Sequence, residues 1–271
     1  MGMYVLERKN KGALWGVEWR YVHPEGGKLP LLVKVLEAQE ALSLQVHPSD
    51  AMALRYGEKR GKTEMWYVLE AKAGARLYVG FNRKTDRGEV ERLVKAGRLE
   101  EVLRSYEVRA GDVYYIPSGC VHGLGGGCRV AEIQQESEVT YRLYDYGRKG
   151  LDGKLRELQV ELGLEAISYG SECERLVRYK EVWNSASEVL KCAYFTTNLL
   201  SGEEVLTRSV VVDMQLYIVI SGSALVRDAS GSEVRLEAGA ALAVGPGGNR
   251  VQIRPQPEVK ILETYVTPTN L

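Results

Sequence analysis

The chain has 271 residues, of which 45% are hydrophobic and 27% are charged, a balance typical of folded globular proteins. The 36 Lys and Arg residues equal the 36 Asp and Glu residues in number, so net charge gives no reason to expect a nucleic-acid or membrane partner. No apolar run approaches the roughly 20 residues of a membrane helix, and the N-terminus is charged where a secretion signal would be apolar. We therefore expect a soluble, cytoplasmic protein.

The first half of the chain is predicted to be mainly β-structure. Apolar and polar residues alternate with a period of two in four short runs that end at turn residues, 29–38, 41–48, 64–71 and 75–81. Between residues 86 and 108 the apolar spacing becomes helical, and Gly97 divides this segment into two predicted short helices. Strands resume in GDVYYIPSG, CRVAEIQQ and VTYRLYDYG.

The second half contains a connecting segment and then another β-rich block. Both β blocks contain an Ala-Gly turn followed by a strand and a proline-containing loop, so we interpret them as tandem copies of one architecture. The prediction is an N-terminal domain over 1–150 with a helical insertion around 86–108, a connection over 151–188 with a helix at 156–167, and a C-terminal domain over 189–271.

Four residues of the first block offer a set of metal-binding atoms. Gln45 and His47 are two apart on a predicted strand, so their side chains point to the same face. Glu64 begins a later strand, and His122 follows the segment GDVYYIPSGCV. Two imidazoles, a carboxylate and an amide suit Zn²⁺ or another first-row divalent metal. Taken one at a time, these histidines are explained more simply as packed or surface side chains that bind no metal.

Several segments of the first block resemble a known family. GDVYYIPSGCVH fits the pattern G-x5-P-x-G-x2-H, a signature of the cupin barrel. With QVHP, TYRLYDY and further matching text within residues 29–148, the sequence resembles the type I mannose-6-phosphate isomerases in their short bacterial and archaeal form. The resemblance implies a mainly β fold of two tandem cupin (jelly-roll) barrels with a few short helices. The activity it implies is interconversion of D-mannose 6-phosphate and D-fructose 6-phosphate through a cis-enediol.

The resemblance also implies a cofactor and the site residues. One divalent metal, zinc in the family with Mn, Fe or Co as alternatives, is expected on Gln45, His47, Glu64 and His122. Catalytic roles fall on Arg142, Lys62 and Glu138. Contacts with a small sugar phosphate substrate fall on Ser43, Lys62, Glu132 and Arg142. The C-terminal barrel is expected to be metal-free because no histidine follows His122, and a homodimer is one expected assembly.

Two positions depart from the family pattern. Glu138 stands where the family usually has aspartate, and Gly61 stands where longer members carry histidine before the lysine. The extra methylene of Glu138 puts in doubt any role that needs tight geometry. The base that moves the proton between C2 and C1 is left open among Lys62, Glu138, Glu132 and metal-bound water.

Two other functions stay open from the sequence. One is a non-catalytic sugar-phosphate sensor that kept the pocket and lost the chemistry. The other is a related isomerase that acts on an unphosphorylated aldose. The four cysteines include no C-x-x-C pair, so we expect them to be reduced and mostly packed.

Overall fold

The computed structural model describes residues 2–12, 15–150, 152–170, 175–210, 212–245 and 250–268. Cys173 lies outside these ranges. The chain divides into two compact units, of which the larger comprises residues 10–19 and 33–177. The smaller unit comprises residues 1–9, 20–32 and 178–271. Neither unit is continuous in sequence, unlike the three segments predicted above.

The described part of the chain contains twenty strands and three α-helices, which confirms a mainly β fold with few helices. The strands are β1 Met3–Val5, β2 Glu7–Asn10, β3 Gly16–Val22, β4 Leu31–Ala38, β5 Leu44–Val46, β6 Glu64–Ala71, β7 Arg76–Phe81, β8 Leu103–Glu107, β9 Val113–Ile116, β10 His122–Leu124, β11 Cys128–Gln135, β12 Tyr141–Tyr144, β13 Leu176–Val177, β14 Ser185–Lys191, β15 Phe195–Gly202, β16 Leu206–Ser209, β17 Gln215–Asp228, β18 Glu233–Glu237, β19 Ala241–Val244 and β20 Arg250–Val266. The helices are α1 Asp50–Arg55, α2 Arg87–Lys95 and α3 Val160–Ala166, with one 3-10 turn at Leu99–Val102. Among these described helices, none has the length and apolar character needed to cross a lipid bilayer.

Two sheets contain the strands of the larger unit. One has five strands in the order β12-β5-β10-β7-β8, and the other has seven in the order β13-β9-β6-β11-β4-β3-β2. Leu77 and Val79 of β7 are buried in one apolar cluster with Val68 of β6 and Val130 of β11. Because side chains alternate along a strand, this cluster is built from one face of each sheet.

The five-stranded sheet presents polar residues on that shared inner face. Leu44 and Val46 of β5 pack instead with α2 and α3 in a separate apolar cluster. Gln45, between them in sequence, therefore points to the opposite face. Register pairs Gln45 with His122 of β10 on one side and with Arg142 of β12 on the other. Three polar side chains thus stand in a row across the sheet.

The smaller unit is built on an eight-stranded sheet. Its strands follow the order β1-β19-β17-β20-β15-β14, with β16 beside β20 and β18 beside β17. Glu263 of β20 is fully buried, and Arg208 donates to its two carboxylate oxygens through Nε at 2.8 Å and Nη2 at 2.7 Å. Asn198 Nδ2 donates a further bond of 2.7 Å. This charge is therefore both paired and hydrogen-bonded, as a buried charge requires.

The segment after Gly97 differs from the sequence prediction. Gly97 has a φ of +67°, the left-handed conformation that commonly follows the end of a helix, and it lies just after α2 as predicted. The predicted second helix is reduced to the 3-10 turn, because Leu103–Glu107 forms β8 and pairs with β7. Leu99, Val102 and Leu103 are all buried, so a turn and an edge strand satisfy the same apolar spacing as a helix would.

The helix predicted over 156–167 begins later, at the start of α3. Arg142 N donates to Gln159 Oε1 at 3.1 Å, and Gln159 N donates to Arg142 O at 2.9 Å. These two bonds hold Gln159 beside β12, and α3 begins at the next residue, Val160.

Candidate metal centre and active-site cleft

Three metal-binding side chains converge in the interior of the larger unit. His47, Glu64 and His122 are buried, and each offers one ligand atom within 4.8 Å of the others. His47 Nε2 lies 3.5 Å from Glu64 Oε2, and His122 Nε2 lies 3.3 Å from Glu64 Oε1. Residues that are 17 to 75 positions apart in the sequence therefore meet at one carboxylate, as the sequence predicts.

Hydrogen bonds to the main chain fix which nitrogen of each histidine faces this centre. His47 Nδ1 donates to Val139 O at 2.9 Å, and His122 Nδ1 donates to Cys120 O at 3.0 Å. In each ring Nε2 therefore carries a lone pair. Burial and the nearby Lys62 cation lower the pKa of His47 to about 4, and burial also lowers the pKa of His122. Both rings are thus neutral near pH 7, the form that binds metal.

Gln45 lies next to the centre with its amide nitrogen turned toward it. Gln45 Nε2 donates to His122 Nε2 over 3.1 Å. Rotation of the amide by half a turn exchanges nitrogen and oxygen and presents Oε1 at the same place. Gln45 can therefore act as a fourth ligand without any movement of β5.

Unpartnered atoms indicate that this centre suits a cation. Oε1 of Glu64 and Nε2 of His47 are buried without a hydrogen-bond partner, and Oε2 of Glu64 lies 2.8 Å from the Lys62 ammonium. Such atoms are uncommon because leaving a buried polar atom unpaired costs about 1–3 kcal/mol. Imidazole nitrogens, a carboxylate and an amide oxygen are ligands that Zn²⁺ and other first-row divalent ions accept. The residues present fit the metal that the family resemblance implies.

Four buried charged side chains alternate in sign beside the centre. Lys62 Nζ lies 2.8 Å from Glu64 Oε2 and 3.7 Å from Glu132 Oε1. Lys34 Nζ donates to the same Glu132 oxygen at 3.1 Å, and Trp66 Nε1 donates to the other at 2.9 Å. We call Lys34, Glu132, Lys62 and Glu64 the alternating charge network. Two lysines and two glutamates leave it without net charge.

Charge interactions in this network outweigh the effect of burial. Burial acts to lower the pKa of Lys62, but Glu132 and Glu64 raise it overall, so the amine is protonated at neutral pH. Burial acts to raise the pKa of Glu64, yet Lys62 and the two histidines hold it well below its usual range. Lys62 and Lys34 likewise lower the pKa of Glu132 in spite of its burial and of Glu64. Both carboxylates are therefore ionised.

An open cleft of about 310 Å³ borders the network. Its lining includes the four residues predicted to contact substrate, Ser43, Lys62, Glu132 and Arg142. Arg142 Nη1 donates to Glu157 O at 3.2 Å, while its Nε is buried without a partner. Burial and the nearby Arg156 lower the pKa of Arg142, although a guanidinium stays charged at neutral pH.

Glu138 is not among the residues described as lining this cleft. It is exposed and lies in the connection between β11 and β12, just before the predicted strand VTYRLYDYG, of which the structure forms Tyr141–Tyr144. The carbonyl of the next residue, Val139, accepts the hydrogen bond from His47 Nδ1. This carbonyl therefore bonds a side chain and not a neighbouring strand. The chain is therefore irregular at Glu138, and the catalytic role of this residue stays a prediction.

Three side chains that shape the site are missed by the sequence analysis. Lys34 interrupts an apolar strand two residues before the buried Leu36, and Trp66 follows Glu64 by two, so alternation alone could have placed both side chains inward. Arg156, which lines the cleft, gives no such signal because residues 156–159 belong to no regular element.

Fold and site together define a mainly β protein with a buried histidine–carboxylate cluster that could hold a metal, beside a cleft that carries lysine and arginine. Comparison with known proteins agrees with this class. The family model described as the catalytic domain of type I phosphomannose isomerase matches residues 11–76. The chain is 41% identical over 175 residues to mannose-6-phosphate isomerase ManA of Bacillus subtilis, an alignment that covers 64% of this chain and 55% of that protein.

Two further proteins are similar to the chain. Mannose-6-phosphate isomerase of Streptococcus mutans is 37% identical over 168 residues, which cover 62% of this chain and 53% of that protein. The crystal structure of the mannose 6-phosphate isomerase from Bacillus subtilis superposes with a TM-score of 0.86 at 23% identity, over 98% of this chain and 100% of that chain. The chain spans about half the length of the curated relatives it matches. The resemblance to type I phosphomannose isomerases is confirmed, and the superposition shows a shared fold.

Proposed function

We propose that the protein is a metal-dependent isomerase that interconverts D-mannose 6-phosphate and D-fructose 6-phosphate. The observation that carries this proposal is that a buried cluster of two histidines and Glu64 lies next to a cleft lined by Lys62, Glu132 and Arg142. An aldose–ketose exchange needs a Lewis acid, ionised groups for proton transfer and a cation for the phosphate. The similarity to mannose-6-phosphate isomerases supports the choice of substrate.

Gln45, His47, Glu64 and His122 would hold the metal. When bound, it would polarise the oxygens at C1 and C2 of the open-chain sugar. We assign zinc, because two neutral imidazoles and two oxygen ligands form a compact set that it accepts, and Mn, Fe or Co can use the same donors.

The other residues act on the proton that moves between C2 and C1 through the cis-enediol. Glu132 is ionised and lines the cleft, so it is the carboxylate placed to accept this proton. Lys62 is protonated and would donate to a sugar oxygen as negative charge develops there. Arg142 would hold the phosphate, and the hydroxyl of Ser43 would bond a sugar hydroxyl.

The proposal extends to the finer architecture. Two tandem cupin barrels are assigned to residues 1–150 and 189–271, joined by 151–188, with metal in the first barrel and none in the second. The apolar cluster shared by two sheets of the larger unit supports a barrel there.

A homodimer and the cytoplasm are the proposed assembly and location. Val182 and Trp183 of the smaller unit are exposed apolar side chains, of the kind that pack in subunit interfaces. Cys120, Cys128 and Cys192 are free thiols, as in a reducing compartment.

A coupled assay on the purified full chain tests the activity. Mannose 6-phosphate and mannose are compared as substrates before and after EDTA treatment and zinc restoration, and elemental analysis counts the metal. We expect turnover of the phosphorylated sugar, about one metal per chain, and loss of both in His122→Gln. His23→Gln changes a histidine of the smaller unit and is the matched control, which should retain both.

Other outcomes would identify the alternatives. Binding of mannose 6-phosphate without turnover at any metal loading would indicate a sensor. Equal turnover of mannose would indicate an isomerase of unphosphorylated sugars. A metal-free preparation with full activity would contradict metal dependence.

A further inference from the structure

A second guanidinium, that of Arg156, lines the cleft together with Arg142. Its side chain is 26% exposed, so solvent reaches part of it. Arg156 is close enough to Arg142 to lower the pKa of that residue. Two guanidinium groups on one cleft wall repel each other unless an anion lies between them.

An ion pair with Asp145 holds Arg156 in this position. Arg156 Nη1 lies 3.3 Å from Asp145 Oδ2, and Asp145 is buried. The other carboxylate oxygen of Asp145 accepts from Arg148 Nη2 at 2.8 Å. Because one carboxylate is shared between two arginines, it neutralises neither of them fully. The bonds between Gln159 and β12 fix the segment that carries Arg156.

Two buried donors of residues that line the same cleft as Arg156 have no acceptor. Arg142 Nε and Trp15 Nε1 are both buried without a hydrogen-bond partner, and both residues line the cleft. Buried N–H groups without an acceptor are exceptions that call for an explanation such as an absent ligand. An anion with several oxygens could accept from them and pair with both guanidinium groups at once.

The row of residues across the five-stranded sheet places these donors at a suitable distance from the metal centre. Arg142 and His122 lie on strands to either side of Gln45, so about 10 Å separates their strands. An open six-carbon sugar with its reacting carbons at the metal centre would extend its far end across a similar distance.

We propose that Arg156 and Arg142 together form the subsite for the terminal phosphate, with Asp145 as a positioning residue for Arg156. Arg156 sets the preference for a phosphorylated over an unphosphorylated sugar. This inference rests on the proposed function only in taking the anion to be the phosphate of mannose 6-phosphate.

Steady-state kinetics and phosphate binding test the subsite. Arg156→Gln, Arg156→Lys and the control Arg87→Gln, which changes an exposed arginine of α2 outside the cleft, are assayed with mannose 6-phosphate. Inorganic phosphate serves as a competitive inhibitor and as a calorimetric ligand of the zinc-loaded protein. We expect Arg156→Gln to raise KM and the Ki of phosphate at least ~10-fold with kcat within about threefold, because a charge-assisted contact is lost. Arg156→Lys should recover part of the affinity, and Arg87→Gln should equal wild type.

The possible results separate the subsite from the isomerase activity. If wild type turns over mannose 6-phosphate while Arg156→Gln keeps its KM and Ki, the subsite is wrong and the activity stands. If wild type has no turnover yet binds phosphate, and Arg156→Gln loses that binding, the subsite stands and the activity is wrong. A fall in kcat with KM and Ki unchanged, or a wild type that binds no phosphate, would overturn the subsite. Thermal melts identify a variant that fails to fold, and Arg156→Lys then decides.

Discussion

The histidines of the metal centre have their Nδ1 atoms bonded to main-chain carbonyls, so protonation can occur only at the nitrogen that faces Glu64. That nitrogen is buried, and in His47 it has no hydrogen-bond partner. At the scale of single residues, burial and the nearby Lys62 cation make the protonated ring of His47 unfavourable, although Glu64 acts in the opposite direction.

This arrangement predicts that the metal-free protein is sensitive to acid. The pKa of His47 is about 4 in the folded chain against 6.5 for the free group, so the unfolded chain binds more protons between these values. Stability then falls as pH decreases from 6.5 to 4, by about 3 kcal/mol for this residue. Chemical denaturation of EDTA-treated protein over this pH range measures it. His47→Gln should show a shallower slope, and equal slopes would assign the effect to other groups.

Arg142 is predicted to be irreplaceable by lysine. One of its nitrogens is bonded to Glu157 O while Nε remains available, and a lysine cannot supply two directed donors from one rigid plane. We expect Arg142→Lys to lower kcat/KM by at least ~10²-fold while the thermal melt changes little. Near-wild-type kcat/KM would show that a point charge is sufficient at this position.

At the scale of elements, the segment before β6 is fixed by its fit against the start of α1. Gly61 N donates to Asp50 Oδ1 at 2.7 Å, and Lys62 N donates to Pro48 O at 3.1 Å. A Cβ at position 61 would lie 2.4 Å from Pro48 O and 2.5 Å from the carbonyl carbon of Ser49. The histidine that longer family members carry there cannot be accommodated by this backbone.

Gly61→Ala is therefore predicted to destabilise the protein by about 1–3 kcal/mol, because the main chain of residues 48–50 must move. The shift would also displace Lys62 and lower kcat. Gly88→Ala in α2 is the matched control, since its Cβ would meet only Asp86 Oδ1 at 3.4 Å. That change should be neutral or stabilising, by up to about 1 kcal/mol. Urea denaturation of both variants measures the difference, and equal stabilities would contradict the close contact at Gly61.

The connection between β11 and β12 leads to a different expectation for Glu138. Because this side chain is exposed and lies outside regular structure, its interactions are screened by solvent. We expect Glu138→Asp and Glu138→Gln to retain kcat/KM for mannose 6-phosphate within about threefold. A loss of 10-fold or more in both would restore the catalytic role that the family resemblance implies.

Sequence alternation predicts the segments that carry the site well. In an extended chain, side chains two residues apart point to the same face, which is sufficient to place Gln45, Lys62 and Glu64 inward. It fails where partners are distant in sequence. Lys34 is identified as part of the site only by its contact with Glu132, 98 positions later. Residues 103–107 have apolar spacing that suggests a helix, but in the structure they form a strand because they pair with β7. Arg156 depends on bonds between an irregular segment and β12, which no local pattern encodes.

At the scale of the whole molecule, each unit buries carboxylates, but their surroundings differ. In the larger unit, Glu64 Oε1 has no hydrogen-bond partner and Oε2 faces only the Lys62 ammonium among cations within 3 Å. In the smaller unit, Glu263 accepts from Arg208, Asn198 and Gln215. A carboxylate whose lone pairs are already used offers little to a metal. The first carboxylate is suited to ligand binding, and the second is suited to holding its own sheet together.

Glu263→Leu is accordingly predicted to destabilise the protein by about 1–3 kcal/mol, because the buried amides of Asn198 and Gln215 lose their acceptor and the partly exposed Arg208 loses its ion pair. The double variant Glu263→Leu with Arg208→Met should lose less stability than the single one. Denaturation curves of both variants measure this order. Were the double variant the less stable of the two, packing rather than charge would explain the effect.

The neutrality of the alternating charge network constrains how this sequence can diverge. Replacing Lys34 alone leaves the buried Glu132 with Lys62 as its remaining lysine partner in the network. Replacing Lys34 and Glu132 together removes one positive and one negative charge, so the network stays neutral. A single substitution at residue 34 or 132 is therefore expected to destabilise the folded protein, whereas a paired substitution at both positions is expected to be tolerated. In a random library selected only for folded protein, changes at residues 34 and 132 should accumulate jointly.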